Sequence, residues 1–399
     1  MRRTARWTVA VAIVTAVGIP GAAQAAGAQP AEQAVLVAPG AEVVPDSYVV
    51  VLKPDRAAVA GQARTLAGRH SARVRQTYSH ALRGFAATMS ARQARRMAAD
   101  PAVAYVQADV IHRASDTQNN PPSYGLDRID QRNRPLNSAY TYSTGAPDVH
   151  AYIIDTGVRT THQDFGLRAV SGFDAIDGGT ADDCHGHGTH VAGTVGGTAY
   201  GVAKSARLVA VRVLNCEGSG TTAQVVAGID WVTANAAKPA VANMSLGGSA
   251  DAALDSAVAG SIASGVSYAI AAGNGFLGLF ALDACTQSPA RVPAAITVSA
   301  VDNADRKASW ANRGTCVDVF APGIGITSSW GTGDTATNTI SGTSMAAPHV
   351  AGAAALYLQT HPSASPAEVH SAIVGNSTTG VVVSPGSGSP NRLLYTGAF

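Results

Sequence analysis

Between Ala346 and Leu358 the chain carries no Asp, Glu, Lys or Arg. A run this long and this apolar reads as a buried helix. Only Pro348 and Gly352 within it are weak helix formers. A helix apolar on every side must be wrapped by the rest of its domain. The chain must therefore build layers around this segment. Ser341-Gly342 is a turn signal in front of it, and Ser344 stands at its expected N-terminus. Backbone N–H groups there lack intrahelical partners and face whatever is bound ahead of them. The place suits a nucleophile with oxyanion donors beside it. It equally suits a serine that merely caps a core helix. Pro348 is expected near the first turn, where a missing N–H costs least.

Composition bounds the rest. Hydrophobic residues are 46% and charged ones 14% of 399, enough for a large core and more than one domain. The net charge of +2 is unevenly spread. Residues 1–115 hold 14 basic and 6 acidic residues; the remainder holds 14 basic and 20 acidic. A basic front segment and an acidic body attract each other. The front arginines are scattered among apolar residues, which argues against a nucleic-acid partner.

Residues 1–25 read as a secretory signal: Arg2, Arg3 and Arg6, an apolar run from Trp7 to Val17, then Ala23-Gln24-Ala25. The run is too short to cross a bilayer as a helix. A secreted protein without a membrane partner after signal removal is expected. Residues 26–45 are rich in Ala, Gly and Pro and read as a linker. Residues 46–115 follow as a small α+β unit of β-α-β-β-α-β order. Its strands are Ser47–Leu52, Ala72–Tyr78, Gly84–Met89 and Val103–Ile111, and its helices Ala57–His70 and Ala91–Ala99. It holds no cysteine and no cluster of catalytic residue types, so it points to binding. The polar stretch Ala114–Tyr124 is an exposed boundary and a site for proteolysis.

From residue 116 onward, apolar strand-like runs alternate with Ala-rich helical ones. Strands are expected at Val149–Ile154, Arg207–Val213, Ala240–Ser245, Ser267–Ala272 and Ala295–Ala300. Helices are expected at His187–Val195, Thr221–Asn235, Ala252–Ser264 and Ser344–Leu358. This is an α/β pattern, a mostly parallel sheet with helices on both faces. Sites in such sheets lie at the carboxyl ends of strands. One strand ends in Asp155-Thr156-Gly157, another in Ala271-Ala272-Gly273-Asn274, and His187-Gly188-Thr189-His190 opens a helix.

Asp155-Thr156-Gly157, His187 to Gly193 and Gly342-Thr343-Ser344-Met345-Ala346 resemble the three signature stretches of subtilisin-like serine peptidases, in that family's order. Gly125 to Gln131, Ser288-Pro289-Ala290-Arg291 and Asn391 to Tyr395 resemble its proteinase K and aqualysin branch. The resemblance implies a serine endopeptidase with Ser344 as nucleophile, His187 as base and Asp155 as the acid that orients it. Asn274 becomes the side-chain oxyanion donor. Asp155-Thr156-Gly157 also matches the aspartic-peptidase triplet, but no second Asp-Thr-Gly or Asp-Ser-Gly supplies the paired carboxylate. An inactive homologue that only binds peptides is the competing reading.

Further expectations rest on the same resemblance. Gly218, Ser219 and Gly220, with Ser245, Leu246 and Gly247, flank an extended substrate. Ala271, Ala272 and Gly273 form the wall of a primary pocket that takes apolar or aromatic side chains before the cut bond. The resemblance pairs Cys184 with Cys216 and Cys285 with Cys316, although four cysteines allow three pairings. A zinc site from Cys184, His185, His187 and His190 is the weaker use of those residues. Calcium is implied at the carbonyls of Pro293 and Ala295 and the carboxylate of Asp318. Residues 46–115 resemble an inhibitory propeptide, with Asp109 to Ser115 lying in the groove and cleavage between about His112 and Thr117. The mature protein is expected to be a monomer acting on protein and peptide substrates. Gly275 to Leu282 departs from the family by being long and apolar. It can rim the groove, contact the propeptide or pack inward; as a rim it favours apolar residues after the cut bond.

Overall fold

The computed structural model describes residues 32–37, 43–55, 57–111, 115–276 and 278–399. The expected signal, most of the linker, and residues 112–114 of the expected cleavage stretch lie outside them. The chain divides between residues 111 and 112 into two compact units.

The first unit is a four-stranded antiparallel sheet with two helices. Its elements are β1 (Val43–Leu52), α1 (Val59–His70), β2 (Arg73–Tyr78), β3 (Gly84–Thr88), α2 (Ala91–Ala98) and β4 (Val103–Val110). The sheet order is β2-β3-β1-β4, so the expected β-α-β-β-α-β unit is present. Its core gathers Val50, Phe85, Met97 and Val106, all with no exposed surface. Burying each such side chain contributes about 1.5–3 kcal/mol before entropy is counted. Ser90 starts α2 through a reciprocal capping box with Gln93.

The second unit is built on a nine-stranded sheet. Seven main strands are β5 (His150–Asp155), β6 (Ala169–Asp174), β7 (Arg207–Arg212), β8 (Ala240–Met244), β9 (Ser267–Ala271), β10 (Ile296–Val301) and β11 (Val319–Pro322). Two short strands, β12 (Thr378–Thr379) and β13 (Arg392–Leu393), complete one edge. The order is β12-β13-β11-β10-β9-β8-β5-β7-β6, parallel except for the pair β12–β13. Besides a short helix at Tyr124–Ile129, the helices are α3 (His187–Gly196), α4 (Thr222–Asn235), α5 (Ala252–Ala263), α6 (Thr343–Thr360) and α7 (Pro366–Asn376).

Strand side chains alternate between two cores. Ala151 and Ile153 face the core that contains α3, α6 and α7; Tyr152 and Ile154 face the core that contains α4 and α5. Both faces of β5 are therefore dry, which explains its continuous apolar run. From β5 the chain runs outward to β7 and β6 on one side and to β8 through β11 on the other. Its carboxyl end is thus a topological switch point, where open α/β sheets place their sites. The wrapped helix expected from Ala346–Leu358 is α6, buried along nearly its whole length. Pro348 stands inside it, just beyond the first turn.

Candidate active site

Asp155 is the last residue of β5 and is fully buried. His187 is the first residue of α3. They meet because Gly188 lets the helix start lie against the strand end. A Cβ on Gly188 would stand 2.1 Å from the Gly157 carbonyl oxygen and 3.2 Å from the Asp155 Cβ. With that space open, Asp155 Oδ1 accepts the proton of His187 Nδ1 at 2.7 Å. The same oxygen accepts the Thr156 N–H at 2.8 Å. This bond fixes the imidazole tautomer, leaving Nε2 as the free acceptor. Burial draws the His187 pKa down, but attraction and hydrogen bonding by Asp155, helped by Asp183, raise it above the ordinary value.

Asp183 was not foreseen from the sequence. Its Oδ2 accepts from the Thr189 N–H at 2.8 Å and hydroxyl at 2.6 Å. Its Oδ1 accepts from the Thr156 hydroxyl at 2.8 Å and the Gly186 N–H at 2.8 Å. One buried carboxylate therefore ties the residue after Asp155 to both sides of His187. His190, three residues on, is buried and its Nε2 donates to the Ile326 carbonyl at 3.0 Å. Burial pushes its pKa down to about 4, so it is a neutral core residue at working pH.

Ser344 is the second residue of α6. Its hydroxyl donates to the Ser245 carbonyl at 3.1 Å, and no hydrogen bond among the described residues joins it to His187. Such contacts commonly tighten only when substrate arrives. The backbone of Ser344 is held from the other direction. In a regular helix its carbonyl would accept the N–H of residue 348. Pro348 has none, and the Ser245 hydroxyl takes the carbonyl at 2.8 Å instead. Asn243 Nδ2 donates to that hydroxyl at 2.9 Å.

Asn274 follows the end of β9. Its Oδ1 accepts the Thr343 N–H at 2.9 Å and the Thr343 hydroxyl at 2.8 Å. With the oxygen end pinned, the amide N–H₂ end is the one turned to anything bound. The Met345 N–H goes to the Gly342 carbonyl at 3.0 Å. The Ser344 N–H, in the first turn, has no partner within the helix. Two donors of different origin thus stand ready for one developing negative oxygen. Thr343 is the second residue missed from sequence; it was visible only as a motif letter.

The Asp155 carboxylate therefore pairs with an imidazole and not with a second carboxylate. A sequence profile described as the Subtilase family matches residues 149–393, more than half of the chain. The chain belongs to the subtilase family. In the same comparison a Peptidase inhibitor I9 profile matches residues 47–115. The subtilase is 55% identical to an extracellular serine proteinase of Thermus sp. (strain Rt41A) over 334 residues, 84% of this chain and 80% of the relative. It is 46% identical to alkaline serine exoprotease A of Vibrio alginolyticus over 377 residues, 90% and 69% of the two chains. A crystal structure of a cold adapted subtilisin-like serine proteinase matches with TM-score 0.66 and 52% identity, covering 68% of this chain and 97% of the other. The subtilase is a serine endopeptidase.

Two cavities of the subtilase meet along Ser245–Ser249. One, of about 660 Å³, is lined by His187, Glu217–Gly220 and Ser245–Gly247. The other, of about 530 Å³, is lined by Ala271–Asn274, Ser344 and one side of Ser245–Gly247. Both fall in the range of roughly 300–1,000 Å³ found for ligand pockets. The structure thus brings the expected groove and pocket residues together. Disulfides join Cys184 to Cys216 and Cys285 to Cys316, the pairs implied by the resemblance. Cys184 is thereby engaged, and among the described residues no group of three His, Cys, Asp or Glu gathers as a metal cluster.

The expected calcium residues of the subtilase lie around the start of β10. Asp318 Oδ2 accepts the Thr297 N–H at 2.8 Å, and Oδ1 faces His370 Nε2 at 3.4 Å. The Asp318 side chain stays 26% exposed. One carboxylate and two carbonyls are hard oxygen donors, which suits calcium.

Proposed function

We propose that this subtilase is a secreted endopeptidase of broad specificity that cuts peptide bonds through an acyl-enzyme on Ser344. The observation that carries the reading is the 2.7 Å bond from His187 to buried Asp155. His187 Nε2 takes the Ser344 proton as Oγ attacks the scissile carbonyl carbon. Asp155 holds the imidazole and stabilises it once protonated. Negative charge passes to the carbonyl oxygen, which receives the Asn274 amide and the Ser344 N–H. The tetrahedral intermediate collapses as His187 returns the proton to the leaving amine. Water then repeats the sequence and frees the acid product.

The substrate chain lies between Gly218–Gly220 and Ser245–Gly247 as an added strand. The front unit acts as folding aid and temporary inhibitor, and the enzyme removes it by cutting between about residues 112 and 117. Its match to an inhibitor profile supports this role. Fluorophosphonate labelling at Ser344, plus N-terminal sequencing of the secreted protein, tests the whole reading. A protein that takes no label, or whose Ser344→Ala variant still hydrolyses peptides and loses its front unit, overturns it. Absence of label together with absence of hydrolysis would leave the inactive-homologue reading; retained hydrolysis by Ser344→Ala would mean another nucleophile.

Calcium held by Pro293, Ala295 and Asp318 would act on stability, not chemistry. Chelation is expected to shorten the half-life of heat inactivation severalfold, with activity at low temperature little changed. An unchanged half-life after exhaustive chelation rejects a stabilising ion.

A further inference from the structure

Residues 275, 276 and 278–282 belong to a tongue that leaves the site and returns to it. Phe276 pairs with Phe280 as an antiparallel bridge, with Phe276 N–H donating to the Phe280 carbonyl at 2.9 Å. Directly paired residues of this kind send their side chains to the same face. Gly275 makes the take-off: its φ is +69°, and a Cβ there would stand 2.1 Å from the Phe280 carbonyl oxygen. The return is held by Asn312. Its Oδ1 accepts the Leu282 N–H at 2.8 Å, and its Nδ2 donates to the Ala272 carbonyl at 2.8 Å. The Asn312 N–H donates to the Gly273 carbonyl at 2.9 Å. One buried side chain thus fastens the tongue to the pocket wall, and the disulfide at Cys285 follows at once.

The tip is not packed inward. Phe276, Leu279 and Phe280 are 59%, 62% and 69% exposed, though folding tends to hide such side chains. Phe276 and Leu282 line the same cavity as Ala271–Asn274 and Ser344. That is the cavity assigned to the side chain before the cut bond. A rim selecting the residue after the cut bond, the first expectation, does not fit this placement.

We propose that the tongue is a specificity element for the acyl side of the substrate, with Phe276 as the outer wall of the primary pocket. It rests on the endopeptidase reading and deepens it. A large apolar or aromatic substrate side chain entering the pocket covers the Phe276 ring and loses water from both surfaces. A small side chain leaves the ring wet and gains nothing from it. Phe280, on the same face of the tongue, widens the apolar surface beside Phe276.

The test uses two peptide series on the mature enzyme. One varies only the residue before the cut bond among Phe, Leu and Ala; the other varies only the residue after it. Phe276→Ser is expected to reduce the Phe-over-Ala ratio of kcat/KM about tenfold, the scale set by apolar contacts in pockets. Phe276→Leu is expected to keep most of the ratio. An unmoved Phe-over-Ala ratio, or a change confined to the second series, overturns the proposal. Active-site titration of each variant separates the two levels. An unlabelled wild-type enzyme defeats the endopeptidase mechanism, whereas full labelling with an unmoved ratio defeats the role of the tongue alone.

Discussion

Asp155→Asn is expected to lower kcat by about four orders of magnitude, with KM changed far less. The carboxylate is buried at a strand end, and its Oδ1 holds both His187 Nδ1 and the Thr156 N–H. An amide at that place can present its N–H₂ to the imidazole, which then carries its proton on Nε2, the wrong nitrogen for a base. The pH profile adds a second readout. His187 must be neutral to act, and Asp155 raises its pKa against the pull of burial. In the wild type the acid limb of kcat/KM therefore lies above the free imidazole value of about 6.5. Without the carboxylate, burial remains and the limb moves to lower pH. A variant with the limb unmoved would show that His187 is not the titrating base.

Asn274→Ala is expected to cost roughly 100- to 1,000-fold in kcat, the loss found when such a donor is removed from peptidases of this kind. KM should be nearly unchanged, because the donor acts on charge that appears only in the transition state. Thr343 positions this amide by donating its N–H and its hydroxyl to Asn274 Oδ1. Thr343→Val keeps the backbone donor to Asn274 Oδ1 but removes the hydroxyl one, so a loss of up to about tenfold in kcat is expected. Thr343→Ser should restore it. Equal rises in KM for Asn274→Ala would mean that the residue binds ground-state substrate instead.

The motif residues were legible because catalysis confines each to a short local pattern. Asp155 ends an apolar run, His187 opens a helix after glycine, and Ser344 opens an uncharged one. Their helpers were not legible. Asp183 looks like any loop aspartate until its two oxygens are seen to gather Thr156, Gly186 and Thr189. Strand β6 escaped because it is a half-exposed edge with a register irregularity between Ser171 and Phe173. Strand β11 is only four residues long and ends in proline. Helix α7 escaped for a poorer reason: Ser365-Pro366-Ala367-Glu368 is a capping box with proline at the helix start, a signal plain in the letters. The tongue was recognised as unusual, but its direction depended on Asn312, thirty residues beyond Leu282.

Pro348 entered as a tolerated defect in a long helix. A helix that bonded its own first carbonyls in full would be a closed rod, and its end could rock against the sheet. The missing donor makes the Ser344 carbonyl a socket for Ser245. The residue after β8 and the start of α6 are thereby joined by one hydrogen bond. A residue with an N–H in place of Pro348 would offer that carbonyl a rival donor inside the helix, and the joint between strand end and helix start would be contested.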